Sequence, residues 1–277
     1  MAADVLFLHP GAMGARLAGS CRGAGRRLWL PDSRSDATTA RAEREGLEAV
    51  ETLGAAVARA DIVVSICPPS AADSVADHVA SAGFDGVYVD ANAIAPTTAR
   101  RIGRRFDRFI DGGIIGPPPT EPGTTRLYLS GRGDDPHDVA ALWSGSELDA
   151  RVIDGDIGAA SALKMTYAAW TKGSAALLAT IVAGADAMGV GDDLEREWDL
   201  SQPGLGERVQ RTAAAVGPKA WRFTGEMTEI ASTFADIGLP AGFWTAAAET
   251  YGRLAPLKEV DESTVDALVE LLRSESS

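Results

Sequence analysis

The chain has 277 residues, of which 45% are hydrophobic, and a formal net charge of −13. This length allows one large or two medium domains, and the hydrophobic content excludes a disordered composition. The acidic excess argues against a nucleic-acid partner, and no apolar run reaches the roughly 20 residues of a membrane span.

Strand-like and helix-like segments alternate over the first half of the chain. Several strand candidates are continuous apolar runs, such as Ile62-Val63-Val64-Ser65-Ile66, which is typical of strands buried on both faces. The alternation predicts parallel βαβ units and therefore an α/β fold with a doubly wound parallel sheet of the Rossmann type. The predicted strands are Val5–Leu8, Arg27–Leu30, Asp61–Cys67, Gly86–Asp90, Phe106–Asp111, Thr125–Ser130 and Arg151–Ile153, and the predicted helices cover about 11–24, 36–45, 53–60, 70–82 and 96–104.

The strand patterns stop after about residue 157. Ala159–Met188 forms one long helical pattern without proline, and shorter helical patterns follow it. We therefore expect a first domain over residues 1–157 and an all-α domain over residues 158–277, joined by this long interdomain helix.

The first strand and the small number of cysteines indicate the cellular compartment of the protein. The first strand is too short for a signal peptide and has an acidic residue, Asp4, at its start. Only Cys21 and Cys67 are present, and the three histidines show no metal-ligand spacing, so we predict neither a disulfide framework nor a metal site. These features favour a cytoplasmic protein with no membrane or nucleic-acid partner.

The first strand runs directly into a glycine turn that opens a helix. Such a turn makes a phosphate site, because free backbone N–H groups and the positive end of the helix dipole face the ligand. In the G-x-G-x-x-G fingerprint, one glycine lets the backbone approach a pyrophosphate and the last lets the helix pack on the strand. His9 replaces the first glycine, and the sequence offers no physical role for it. The predicted pyrophosphate site consists of Pro10, Gly11, Ala12, Met13 and Gly14.

The residues after the second strand carry two opposing signals for the adenosine end of a dinucleotide. Asp32 could accept hydrogen bonds from a ribose diol, as in NAD sites, whereas Ser33-Arg34-Ser35 could bind a 2′-phosphate, as in NADP sites. We favour NADP, with NAD as the alternative. Ser35 or Asp36 could also cap the next helix, a role that does not exclude the other.

Two further strand ends are expected to line the ligand crevice, because ligands bind at the carboxyl ends of strands in such sheets. Cys67-Pro68-Pro69 lies at one of these ends. Since no histidine base lies nearby in the sequence, we interpret Cys67 as a small wall residue rather than a nucleophile. Asn92, at the other end, could hold the nicotinamide ribose or amide, or could form the turn before the next helix.

The segment Asp111-Gly112-Gly113-Ile114-Ile115-Gly116-Pro117 is a candidate for the substrate side of the site. Gly113 and Ile114 could contact the substrate there, with backbone N–H groups forming an oxyanion site. The alternative is an ordinary glycine turn that leads into a proline-rich loop.

Polar side chains share one face of the otherwise apolar long helix. Helical spacing places Lys164, Tyr167 and Thr171 on this face and Lys172 near its edge. The chain uses arginine for most basic positions, and lysine, unlike arginine, can lose its proton when buried. Lys164 could therefore exchange a proton with a substrate during hydride transfer, while Tyr167, Thr171 and Lys172 bind that substrate. The alternative is a solvated helix face.

Taken in chain order, these motifs resemble the β-hydroxyacid dehydrogenase superfamily, which includes 6-phosphogluconate dehydrogenase and the imine reductases. Gly11-Ala12-Met13-Gly14 is similar to its G-x-G-x-M-G turn, and Asp90-Ala91-Asn92-Ala93-Ile94-Ala95-Pro96 is similar to its D-x-S-T-x-x-P segment. Ala160 to Lys164 is similar to its G-x-x-x-K, which puts Lys164 in the place of the catalytic lysine. The stretches HPGAMG, DANAIAP, GGIIGPPP and KMTYAAWTKG also resemble an uncharacterised subgroup of NAD(P)-dependent oxidoreductases, and residues 188–255 resemble its phosphogluconate-dehydrogenase-like helical region.

Two departures from the superfamily pattern bear on the substrate. Ala168 stands where the family has an asparagine, and Ile115-Gly116-Pro117 replaces a carboxylate-binding Ser-Gly-Gly, which puts a small 3-hydroxy acid in doubt. The retained Lys164 favours alcohol or carbonyl chemistry, because imine reductases usually replace that lysine.

The resemblance implies an NAD(P)-dependent dehydrogenase or reductase that transfers a hydride between nicotinamide and an alcohol or carbonyl substrate, with Lys164 as general acid/base. It also implies a dinucleotide-binding domain over 1–157 and a substrate and dimerisation domain over 158–277. Two alternatives stay open, an imine reductase on the same fold and a non-catalytic NADP-binding module that senses redox state. A homodimer across the long helix is expected, for which Trp170, Phe243 and Trp244 could supply an apolar surface.

Overall fold

The computed structural model describes residues 2–32, 34–260 and 263–274. It divides into two compact units, Met1–Met165 and Thr166–Ser277. The division falls inside the long helix, α7 (Ala159–Ala187), so that the first turns of this helix belong to the first unit.

In the first unit, one sheet of eight strands runs in the order β3-β2-β1-β4-β5-β6-β7-β8 over the described residues. Neighbouring strands are parallel, except that β6 and β7 are antiparallel. The order reverses at β1, whose two neighbours are β2 and β4, and the crevice for a ligand in such a sheet opens at this point. The strands are β1 (Val5–Leu8), β2 (Arg27–Trp29), β3 (Glu48–Ala49), β4 (Ile62–Ser65), β5 (Val87–Asp90), β6 (Arg108–Ile115), β7 (Thr125–Gly131) and β8 (Leu148–Val152).

Both faces of this sheet are buried, as the continuous apolar strands predict. Side chains alternate between the faces, so that Val5 and Phe7 pack on one side while Leu6 and Leu8 pack on the other. The predicted α/β fold with a doubly wound sheet is confirmed. The helices of this unit are α1 (Ala12–Gly19), α2 (Asp36–Arg44), α3 (Leu53–Val57), α4 (Ala72–Ser81), α5 (Pro96–Gly103) and α6 (Asp135–Ala141).

Strand β6 differs from the prediction in length and in pairing. It continues past Asp111 to Ile115 and pairs with β7 in antiparallel register, so the segment interpreted as a substrate-side loop, with a glycine turn as the alternative, is mostly strand. The connection from β6 to β7 is too short for the crossover that a parallel neighbour requires. Glycine is needed inside this strand, because a Cβ at Gly112 would lie 2.9 Å from the Asp90 carbonyl oxygen.

The described residues of the second unit form helices joined by short turns, with no strand among them, as predicted. Its core is built around α10 and α11, where Met227, Ile230 and Tyr251 are fully buried. Ile237, at the C-terminal cap of α10, is 68% exposed and lies outside this core. After α7 the helices are α8 (Gly191–Ser201), α9 (Leu205–Val216), α10 (Ala220–Asp236), α11 (Gly242–Arg253) and α12 (Val265–Arg273). No helix in the described part of the chain combines the length and apolar character that a bilayer crossing requires.

Candidate functional site

The predicted glycine turn lies at the carboxyl end of β1, where the strand order reverses. Gly11 is the N-cap of α1 in extended conformation, and no side chain caps this end of the helix. The first backbone N–H groups of α1 are therefore available to an anion. Gly14 is buried, and a Cβ at this position would lie 2.9 Å from the His9 carbonyl oxygen. The turn and the helix can thus approach each other only with glycine at position 14.

His9 occupies the left-handed region of backbone space, with φ of 62°, and is the one non-glycine residue among those described with a positive φ. Its Nδ1 is buried and has no hydrogen-bond partner in the described structure. Burial, and secondarily the charge of Arg34, lowers the pKa of His9 to about 4. The imidazole is therefore neutral at ordinary pH.

The loop after β2 carries the predicted adenosine-end residues, of which Ser33 lies outside the described residues. Asp32 is exposed, and Ser35 takes the N-cap position of α2, although its side chain accepts no bond from the helix backbone. Arg34 is half-buried, and its Nε has no partner in the described structure. Its charge contributes to lowering the pKa of His9, and it opposes the burial that raises the pKa of Cys67.

Asn92 links the ends of β4 and β5. Its Oδ1 accepts a hydrogen bond from the Cys67 backbone N–H at 2.5 Å, and its Nδ2 donates to Ser65 Oγ at 3.2 Å. The side-chain amide thus braces the loop, and its contact with a cofactor stays a prediction. Burial raises the pKa of the Cys67 thiol to about 12, so Cys67 stays protonated, in keeping with a wall residue. Of the two prolines, Pro68 is exposed and Pro69 begins a short 3₁₀ helix.

Two buried carboxyl groups, for which the sequence pattern predicts no role of their own, lie side by side in the sheet. Asp90 ends β5 directly opposite Asp111 of β6. Asp90 Oδ1 accepts the Asn92 backbone N–H at 3.0 Å, whereas Oδ2 has no partner among the described residues. Burial, helped by the neighbouring Asp111, raises the pKa of Asp90 to about 7 against the opposing hydrogen bonds from Asn92.

Asp111 holds the beginning of α7 on the sheet. Its Oδ2 accepts the backbone N–H groups of Gly158 at 3.0 Å and Ser161 at 2.8 Å, and its Oδ1 accepts Ser161 Oγ at 2.5 Å. Ser130 Oγ also donates to Asp111 Oδ2 at 3.2 Å and accepts the Ala160 backbone N–H at 3.0 Å. An acidic side chain at a helix N-terminus satisfies the unpaired donors of the first turn. Burial raises the pKa of Asp111, and these hydrogen bonds oppose the increase.

Lys164 lies one helical turn after Ser161 and is half-buried. Strand β6 passes close beside it, since a Cβ at Gly113 would lie 2.7 Å from the Ala160 carbonyl oxygen and 3.1 Å from Lys164 Cβ. Only glycine therefore lets this strand and the helix pack at this distance. Ile114 is buried in the core on the other face of the sheet, so its contact with a substrate stays a prediction.

The remaining substrate-side candidates belong to the second unit. Tyr167 is exposed, and its carbonyl oxygen accepts Thr171 Oγ1 at 3.3 Å. Lys172 Nζ forms an ion pair with Glu226 at 2.7 Å and lies 4.9 Å from the centre of the Phe223 ring. Lys172 is thus held within its own unit, and substrate binding by these three residues stays a prediction.

Two protein-family models match the chain. Residues 5–118 match the NAD binding domain of 6-phosphogluconate dehydrogenase, and residues 185–254 match a domain of unknown function, DUF1932. An uncharacterized 28.5 kDa protein in the 7S RNA 5′ region of Methanothermus fervidus is 29% identical over 163 residues, which are 58% of this chain. The matched part spans 62% of that relative's length.

Solved structures share the fold over nearly the whole chain. A conserved hypothetical protein from Sinorhizobium meliloti has a TM-score of 0.68 at 23% identity, covering 98% of this chain and 97% of its own. A 3-hydroxyisobutyrate dehydrogenase from Mycobacterium tuberculosis has a TM-score of 0.66 at 17% identity, covering 99% and 100%. A reductive aminase from Aspergillus terreus, solved with NADPH and ethyl levulinate, has a TM-score of 0.53 at 17% identity, covering 99% and 100%. At these identities the likeness shows the fold, and the family match over residues 5–118 assigns dinucleotide binding to the glycine turn's domain.

Proposed function

We propose that this chain is an NAD(P)-dependent oxidoreductase of the β-hydroxyacid and 6-phosphogluconate dehydrogenase superfamily, and that it transfers a hydride between NADP and an alcohol or carbonyl carbon. NAD is the alternative cofactor, and Lys164 is the general acid/base. The observation that carries the proposal is the glycine turn at the reversal of strand order, inside the segment that matches a nicotinamide-dinucleotide domain.

The residues at this turn fit a dinucleotide. Gly14 gives the helix the close approach that a pyrophosphate site requires, and the uncapped first turn of α1 offers backbone N–H groups. The partnerless Arg34 Nε supports a 2′-phosphate, and therefore NADP. The exposed Asp32 beside it is the residue that would serve a ribose diol in the NAD alternative.

Lys164 is the residue proposed to move the proton. A bound nicotinamide supplies the hydride acceptor in one direction and the hydride donor in the other. In oxidation, neutral Lys164 Nζ accepts the proton of the substrate hydroxyl as the hydride leaves the carbon that bears this hydroxyl. In reduction, the Lys164 ammonium returns a proton to the carbonyl oxygen. Asp111 positions this lysine, because its carboxylate fixes the helix turn that precedes Lys164.

Replacing the lysine tests this role. We expect Lys164→Met to lower turnover by about 100-fold or more, in the range that general acid/base groups contribute, while the dissociation constant for NADPH stays unchanged. Fluorescence titration of NADPH and initial rates over a panel of alcohols, aldehydes and ketones provide the two readouts. Lys219→Met, at an exposed position of the second unit, is the matched control and should retain full rate. Full activity in Lys164→Met would contradict the assignment of Lys164 as general acid/base.

Imine reduction is the second candidate, favoured by the shared fold of the Aspergillus terreus reductive aminase. The retained Lys164 supports carbonyl chemistry instead. Rates measured with cyclic imines and with hydroxy acids under the same conditions separate the two candidates. Tight NADPH binding without turnover of either class would point to the non-catalytic module.

We also propose that the protein forms a homodimer through the long helix. Trp170, Leu177 and Ile181 are exposed apolar residues of α7 whose spacing places them along one helix face, and the exposed Met188 directly follows the helix. Phe243 of α11 is also exposed, whereas Trp244 packs on Gly173 and Phe234 inside the second unit.

A further inference from the structure

Two polar side-chain atoms are left without partners at the same edge of the sheet. His9 comes directly after β1, and Arg34 lies in the loop after the neighbouring β2. The Nδ1 atom of His9 and the Nε atom of Arg34 are both buried and have no hydrogen-bond partner in the described structure. Buried polar atoms are normally satisfied, so each exception calls for an explanation such as a missing ligand. The two residues follow paired parallel strands, so they lie at the same edge of the sheet, and the charge of Arg34 contributes to lowering the pKa of His9.

The backbone at His9 supports a role for its side chain. A φ of 62° is unfavourable for histidine, and glycine, the usual residue at this position of the fingerprint, would adopt it without strain. A strained residue persists where the surrounding structure and the function over-determine it. The strain and the partnerless Nδ1 belong to the same residue, in the turn that holds the proposed cofactor.

We propose that His9 is a specificity-determining residue that binds the 2′-phosphate of NADP together with Arg34. This inference rests on the proposed function. Arg34 supplies the positive charge, and neutral His9, in the tautomer protonated at Nδ1, donates a hydrogen bond to a phosphate oxygen. Replacing the glycine of the fingerprint with histidine thereby adds a donor that an NAD site does not need.

The surroundings of the imidazole are consistent with a neutral donor. Arg34 is the charged side chain whose effect on His9 is resolved, and it disfavours imidazolium. The charge of Arg34 also favours the thiolate of Cys67, but burial raises the pKa of this thiol to about 12. Cys67 therefore stays protonated. Asp32 is exposed in the loop after β2. Arg34 would thus offset part of the phosphate charge, which is about −1.5 to −2 at pH 7, while the neutral His9 would add a directional hydrogen bond.

Calorimetric titration with 2′,5′-ADP and with 5′-ADP tests the proposal without any turnover. The full-length protein should bind 2′,5′-ADP more tightly, and His9→Gly should reduce that preference about tenfold or more, the usual effect of losing a hydrogen bond to a charged group. Affinity for 5′-ADP should stay within about twofold, since glycine restores the ordinary turn. His9→Asn, which also tolerates positive φ but is shorter, should behave like His9→Gly and so separates the side chain from the backbone.

Arg34→Gln and the double variant complete the test. Arg34→Gln should also lose the preference, and the double variant should lose less than the product of the two single effects, because both residues act on one phosphate. An unchanged preference in both His9 variants, with Arg34→Gln impaired, would overturn the role of His9 and leave the cofactor proposal intact. A wild-type protein that prefers 5′-ADP, or binds neither nucleotide, would overturn both.

Discussion

Single side chains at the carboxyl edge of the sheet fall into two groups. Asn92 and Asp111 have their polar atoms satisfied by backbone groups and hydroxyls of the protein. Asp90 Oδ2, His9 Nδ1 and Arg34 Nε are buried without partners in the described structure. An unsatisfied buried group costs about 1–3 kcal/mol, so these are the positions where a proton or a ligand stabilises the protein.

Asp90 predicts a pH dependence of stability. Its pKa rises from 3.8 to about 7 on folding, so the folded protein binds this proton more tightly than the unfolded chain does. The resulting stabilisation is fully present below pH 3.8 and is lost as the pH rises through about 7. Within this window it changes by at most about 1.4 kcal/mol per pH unit.

Asp90→Asn should remove that dependence. Melting temperatures measured at pH 5, 6, 7 and 8 should fall more steeply for the wild type than for the variant. Asp85→Asn, at an exposed position, is the control and should follow the wild type. Parallel profiles for wild type and Asp90→Asn would contradict the assignment.

At the scale of elements, the attachment of α7 to the sheet links a buried carboxylate to the proposed catalytic lysine. Asp111→Asn would turn one acceptor oxygen into an NH₂ group that faces the donors at Gly158 and Ser161. We expect a loss of about 1–3 kcal/mol in the free energy of unfolding. We also expect a lower kcat with unchanged NADPH affinity, because the turn that carries Lys164 loosens.

Urea unfolding and steady-state kinetics measure the two effects of Asp111→Asn. Ser161→Ala removes one donor but keeps the carboxylate, so it should show smaller losses in both. If Asp111→Asn kept wild-type stability and kcat, the anchoring role would be wrong.

The elements that the sequence predicts well are those set by local pattern. Apolar runs such as Ile62–Ser65 and the turn before α1 can each be predicted from a window of a few residues. The continuation of β6 through Gly112 and Gly113 could not be read in this way, because glycine normally marks a turn and here serves close packing with Asp90 and Ala160. The hydrogen bonds that Asp111 accepts from Gly158 and Ser161 join residues far apart in the chain, so no local sequence pattern predicts them.

For the whole molecule, the exposed apolar face of α7 predicts self-association. Leu177→Glu should convert the proposed homodimer to a monomer, because a carboxylate in an apolar interface would be buried without a partner. Leu200→Glu, at an 81% exposed residue of α8 outside this face, should leave the dimer intact. Light scattering coupled to size-exclusion chromatography gives the masses. A wild-type monomer at micromolar concentration would contradict the prediction.

The contacts of Asp111 also decide how this chain can be cut or recombined. The helix turn that satisfies its carboxylate lies after residue 157, where the strand pattern of the sequence ends. A first module trimmed at that point would keep the Ser130 contact but lose the backbone donors of Gly158 and Ser161. The boundary between the two units therefore falls inside helix α7 rather than in a loop. A chimaera that exchanges the helical module has to retain residues 158–165 with the sheet they complete.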